Sequence, residues 1–222
     1  LAAYKDMLAI DPTLIFISAR AVIALMGVAT VYIAYRIASE IFSSQRAGLL
    51  AAIFLAVSFY HLQLSQVTRH WMPALLFIML AWWASLGIAS RGGAKWYFAA
   101  GLFSGLAVGS NTAGAVAMIF PLGAHFLFQR RFLEKFKDVR MWLAIAVFIA
   151  VSAGAIALYP YGLTQGEAAN ASSGIVAAKL VLLKDKNFGQ WLSFLGYYLK
   201  LLFKYETILL IFAVLGGAFS LR

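Results

Sequence analysis

From Leu14 to Tyr35 the chain carries a single charged side chain, Arg20. About 20 mostly apolar residues are enough for a helix to cross the hydrocarbon core of a bilayer. A helix that is apolar on every face has to lie inside a large protein or inside a membrane. The same pattern returns from Ala47 to Leu64, Trp71 to Ser90, Met141 to Leu158 and Thr207 to Leu221. The stretch from Trp96 to Phe128 is too long for one span and breaks at Gly109-Ser110-Asn111-Thr112-Ala113-Gly114. That gives arms over 96–109 and 113–128, as two short helices or a hairpin. The expectation is an all-α, polytopic transmembrane helical bundle, with residues 1–222 forming a single transmembrane domain.

Composition closes off the soluble alternative. The chain is 64% hydrophobic and 12% charged, where a soluble domain averages about 45–50% apolar and about 25% charged. The formal charge of +10 is spread between the apolar runs, which suits positive-inside topology better than a nucleic-acid face. With no cysteine, disulfides, zinc-thiolate sites and iron–sulfur clusters are excluded. Eight acidic residues with no closely spaced carboxylate pair leave no expected metal site. There is no Walker loop, dinucleotide fingerprint, HExxH or nucleophile elbow, so no cofactor is expected. Leu1–Pro12 lacks the features of a signal peptide, and Arg222 stands directly behind an apolar run. The expectation is a fragment lacking sequence at both ends.

Alternating the spans gathers Arg36, Arg46, Arg91, Lys95, Arg130, Arg131, Lys135, Lys137, Arg140 and Arg222 on one side, close to span ends. That side is assigned to the cytoplasm. The segment around Arg69, the turn at Asn111 and the loop after Tyr159-Pro160-Tyr161 then face outward. Residues 162–205 read as an outer loop with an interfacial helix. In that loop Trp191, Phe194, Leu195, Tyr198 and Leu202 recur at helical spacing.

His61-Leu62-Gln63-Leu64-Ser65-Gln66-Val67-Thr68-Arg69-His70-Trp71 is the polar insert between two uncharged runs. Read as a helix continuing out of the second span, it has His61, Ser65, Thr68 and Arg69 on one face and Gln63, Gln66 and His70 on the other. Polarity all round implies that it has left the hydrocarbon. Arg69 and His70 then lie at headgroup depth, where a guanidinium either holds a phosphate or snorkels to lipid. Arg20, inside the first span, needs a partner or a wet cavity. It serves either an ion pair with Asp11 or a substrate contact. Gly101, Gly105 and Gly109 line one helix face and read as a packing groove. His125 reads as a packed or interfacial histidine. Asn170-Ala171-Ser172 matches a glycosylation acceptor only weakly.

Four segments carry a resemblance. Ser18–Val31, led by Ser18-Ala19-Arg20, resembles the arginine-led opening of one span in the membrane-embedded, lipid-carrier-dependent glycosyltransferases. That family includes protein O-mannosyltransferases and the enzymes that add aminoarabinose to lipid A. Phe42–Ala52 resembles their short cytoplasmic turn and next span. Leu64–Arg69 followed by Pro73 resembles the outward end of that span, and Gly101–Ala107 resembles a glycine-rich helix before a re-entrant turn.

The resemblance implies a bundle of the C-type membrane glycosyltransferase kind. It also implies transfer of a sugar from a polyprenyl-phosphate donor to an acceptor of unknown identity at the outer face. The family's catalytic aspartate lies in a first outer loop that would precede Leu1, so the catalytic base is unassigned here. His70 or Trp71 stands where many members carry an acid. Arg69, then His70 and Arg20, are the residues expected to line the donor-phosphate end of the cavity. The expected partners are membrane lipids and the donor, without nucleic acid, and the expected location is the inner membrane of a prokaryote. The rival readings are a transporter or lipid flippase, which would show inverted repeats and midplane charges, and a non-catalytic structural subunit.

Overall fold

The structure, a computed structural model, describes residues 13–67, 70–128 and 136–157, and every regular element among them is helical. In chain order these are α1 (Thr13–Ile41), α2 (Gln45–Val57), α3 (Phe59–Gln66), α4 (Trp71–Arg91) and α5 (Ala94–Ser110). A 3₁₀ helix (Thr112–Met118), α6 (Ile119–Phe128) and α7 (Val139–Ala157) follow. Backbone proximity divides the chain into two units, residues 1–57 with 61–155 and residues 58–60 with 156–222. The packing described below is internal to the first. Several expected features lie outside the described residues: the turn at Tyr159-Pro160-Tyr161, the loop over 162–205, the span over 207–221 and the Asn170 acceptor. So does the greater part of the basic loop, Gln129 to Lys135.

Among the described residues, three helices are long and apolar enough to cross a membrane, Phe16–Ile41, Trp71–Arg91 and Val139–Ala157. The bent pair α2 and α3 makes a fourth if it counts as one span. The chain is therefore an all-α helical membrane bundle. Leu25 and Val28, each 68% exposed, are apolar side chains on the surface that lipid covers.

The first helix extends past the expected Tyr35 by more than a turn. The added turn carries Arg36 and Glu40, which pair four residues apart and stabilise the helix end. A tight turn follows, with Ser43 in the left-handed region (φ 49°) and the Ser44 N–H bonded to the Ser39 carbonyl at 3.2 Å. The helix α4 is the central element, burying Met72, Ala74, Ala81, Ala84 and Ile88. It ends on Gly92, whose φ of 66° closes the helix through its N–H on the Gly87 carbonyl, a conformation that favours glycine. Small residues set the helix spacing. Ala81 of α4, Ala107 of α5 and Ala117 of the 3₁₀ helix meet with no exposure, and alanine there lets backbones approach closely.

The glycine groove on α5 is a packing surface. A Cβ at Gly101 would collide with the Ala144 carbonyl oxygen of α7, and one at Gly105 would meet Val151 at 2.7 Å. The interruption expected near Asn111 is also present. Asn111 caps the 3₁₀ helix by accepting the Ala113 N–H on Oδ1 at 3.0 Å, and Gly114 folds back onto the Ala107 carbonyl. The chain thus reverses within the bundle, where non-helical backbone is tolerated if protein covers it.

Candidate functional site

The second span is not one helix. The α2 and α3 axes meet at 61° with Ser58 between them, although no proline or glycine lies at the break. Measured along α2, at about 1.5 Å per residue, a straight helix from Gln45 to Gln66 would rise about 32 Å. The bent pair rises about 26 Å, short of a hydrocarbon core of about 30 Å. No tilt recovers the full thickness, because the end-to-end distance of the bent pair is about 28 Å. The expectation of one continuous helix is therefore revised: the polar segment runs at an angle to α2.

One face of α3 finds that protein. His61 is buried and its Nε2 lies 2.7 Å from Thr30 Oγ1 on α1. The Thr30 hydroxyl donates to the Gly27 carbonyl at 2.6 Å, which commits its only proton. At the 2.7 Å contact the histidine must therefore be the donor, through an Nε2–H. The relay runs from His61 to Thr30 to the α1 backbone and ties together two positions 31 residues apart in the chain. Gly27 makes room for it, because a Cβ there would fall 2.8 Å from the Ser65 Cβ. His61 and Ser65 thus share the face turned to α1, as their spacing predicts. Gln63 and Gln66 remain exposed.

Of the expected donor-phosphate residues, Arg20 and His70 fall among those described, on separate parts of the chain. Arg69 and Thr68 lie outside the described residues. His70 is exposed, lies with its ring tilted by 34° at 5.0 Å from the neighbouring Trp71 ring, and lends its carbonyl to the Ala74 N–H at the start of α4. Arg20 is exposed on the first half of α1, and Asp11, its expected partner, is outside the described residues. His70, the start of α1 and the Asn111 turn lie on the same side of the bundle by helix alternation. The opposite side holds the Glu40–Arg91 ion pair at 3.6 Å.

Sequence reasoning missed the His61–Thr30 relay. The available signal was a threonine in mid-span three residues after Gly27, where a missing side chain lets another helix approach. It also left unread a buried pair, Tyr97 with its hydroxyl 2.7 Å from His125 Nδ1. Both residues are at most 1% exposed, so His125 is the packed histidine expected rather than an interfacial one. Arg140 lies over the Tyr97 ring at 5.7 Å, bonds the Gly92 carbonyl and pairs with Asp138 at 2.8 Å.

A helical bundle with three or four candidate membrane spans among its described residues, one of them broken beside a buried polar contact, defines a polytopic membrane protein. Residues 15–157 match the model of the Dolichyl-phosphate-mannose-protein mannosyltransferase family, and the chain belongs to that family. Its members are membrane glycosyltransferases that move a sugar from a polyprenyl-phosphate donor. No curated protein and no solved structure matches the chain.

Proposed function

We propose that this chain contributes the donor-phosphate end of a glycosyltransferase cavity, at the membrane face where α3 meets α4. Arg69, His70 and Arg20 are the residues that line it, and the acceptor side opens to the outer face. The observation that carries the reading is the broken second span. It leaves Gln63 and Gln66 exposed while His61 is fixed to α1; placed at membrane depth, as we propose, the segment leading to Arg69 needs a polar occupant or a wet cavity. In a family that uses lipid-linked sugar phosphates, a phosphate head at that depth meets the need.

The chemistry follows from the donor. An acceptor nucleophile forms a bond to the anomeric carbon while the bond from that carbon to the phosphate oxygen breaks. The electron pair leaves with the polyprenyl phosphate, and the acceptor proton passes to a base that these residues do not supply. Charge grows on the phosphate as the bond breaks, so a guanidinium held there stabilises the transition state more than the ground state. Paired N–H donors suit phosphate geometry.

The test is Arg69→Ala, assayed in membranes for transfer from a polyprenyl-phosphate sugar. Loss of one donor to developing charge is expected to lower turnover by about 10²- to 10³-fold, with the protein still inserted and folded. Unchanged turnover removes Arg69 from the site. Arg69→Lys distinguishes paired recognition from simple charge. Partial retention is expected, because lysine presents a point charge without the planar fork.

A further inference from the structure

On the opposite face, the ends of α1, α4 and α5 converge on one carboxylate. Glu40 Oε1 accepts the Trp83 indole N–H at 3.1 Å. Arg36 and Arg91 approach the same oxygen at 3.5 and 3.6 Å, beyond the roughly 2.7–2.9 Å of a charge-assisted hydrogen bond. The guanidiniums lie instead over indoles, Arg36 at 5.3 Å from the Trp83 ring and Arg91 at 4.9 Å from Trp96. Lys95 Nζ stands 5.5 Å from the same Trp96 ring, and the two indoles pack edge to face at 6.2 Å.

Among the described residues, Arg36 and Arg91 thus share one acid while Lys95 shares the Trp96 ring with Arg91, which leaves two of the three positive charges uncompensated. By contrast, Arg140 has Asp138 in direct contact. Arg91 makes no hydrogen bond to any described residue, and its side chain is 52% exposed, so all five of its donors are available. Contact with the indoles positions both guanidiniums, and among the described residues Arg36 gives one N–H to the Tyr32 hydroxyl at 3.3 Å while its other donors remain for a ligand. The site lies at the ends of membrane-spanning helices, the level of lipid headgroups, where tryptophan and arginine side chains collect.

We infer that Arg36, Arg91 and Lys95, braced by Trp83 and Trp96, form a binding site for the phosphate of an anionic phospholipid. The lipid lies on the face opposite the α3–α4 junction. Glu40 is the positioning residue: it draws the two arginines from α1 and α4 to one point while leaving the net charge positive. The site is separate from the donor-phosphate residues and does not depend on their assignment.

The test uses the purified chain in detergent, titrated with phosphatidylglycerol or phosphatidylcholine, with adducts counted by native mass spectrometry and unfolding followed thermally. Saturable retention of phosphatidylglycerol over phosphatidylcholine is expected. At about 1 kcal/mol per basic residue near an anionic lipid surface, Arg91→Gln should weaken that retention about fivefold. Arg91→Gln with Lys95→Gln should weaken it about thirtyfold. Arg91 is half exposed and makes no hydrogen bond to the described residues, so its removal leaves the fold intact. Glu40→Gln keeps the indole acceptor and removes the competing charge, and retention should hold or rise. Equal retention of the two lipids, or phosphatidylglycerol retention that ignores Arg91→Gln with Lys95→Gln, overturns the proposal. Millimolar inorganic phosphate reproducing the lipid's stabilisation would assign the site to a free anion and overturn the lipid assignment.

Discussion

Replacing Thr30 with valine tests whether the His61 relay fixes the broken span. The two side chains have nearly the same shape, so the change removes the hydroxyl and little packing. Thr30 is fully buried and His61 is 6% exposed, so water does not replace the lost acceptor. A buried donor left unsatisfied costs about 1–3 kcal/mol. Polar contacts between membrane helices average only about 0.6 kcal/mol, with a maximum near 1.7. The short 2.7 Å contact and the second bond to Gly27 argue for the upper part of that range. Where the two ranges overlap, Thr30→Val should destabilise the protein by about 1–1.5 kcal/mol.

His61→Leu removes the donor along with other contacts of the ring, so it alone does not isolate the bond. The double variant does, because once one partner is gone the other has nothing left to lose in this contact. In a denaturant titration in mixed micelles, the double variant should be about 1 kcal/mol more stable than the sum of the singles requires. Coupling below about 0.3 kcal/mol, the level at which independent sites add, would refute the reasoning, since His61 would then take its hold on α1 from something other than Thr30. The transfer assay reads the same relay. If α3 positions Arg69, Thr30→Val raises the KM for the polyprenyl-phosphate donor in proportion to the coupling.

Two further substitutions probe packing and capping. Gly101→Ala drives a methyl into the Ala144 carbonyl, a backbone atom that cannot turn aside, and should cost about 1–3 kcal/mol. Gly154→Ala meets nothing within 4 Å and should stabilise α7 by about 0.5–1 kcal/mol through helix propensity; equal effects at the two sites would contradict the α5–α7 packing. Asp138 caps α7, its Oδ1 taking the Arg140 N–H at 2.9 Å. Asp138→Ala should cost about 1 kcal/mol. Asp138→Asn keeps the cap and should cost less; unfolding midpoints that rank the two the other way would make the ion pair, and not the cap, the dominant contribution.

The helices were legible because lipid imposes a coarse rule that composition obeys. Leu14–Tyr35, Trp71–Ser90 and Met141–Leu158 each find a helix within a residue or two, apart from the extension of α1 through Glu40. That extension is held by Trp83 and Arg91, which lie on a helix three elements further along the chain and leave no mark on the local pattern. The Asn111 interruption was legible too, because a polar pair inside an apolar run has few structural uses. Gly101, Gly105 and Gly109 identified a groove, and only the structure supplied α7 as its occupant.

The candidate site was harder for a reason that lies in helical periodicity itself. Spacing reports which residues share a face, and it put His61 beside Ser65 correctly. It carries no information on whether the axis stays straight, since a bend at Ser58 leaves the pattern on each side unchanged. Whether the polar segment reaches the surface or stops inside the membrane depends on that bend. The segment's depth in turn decides whether Gln63 and Gln66 meet water for free or need a cavity. The bend becomes visible only when Thr30 and His61 are seen to meet, and each alone looks unremarkable, a threonine in a span and a histidine at its end. Their pairing ties the polar segment to α1, and that attachment is the ground on which we propose a phosphate for it.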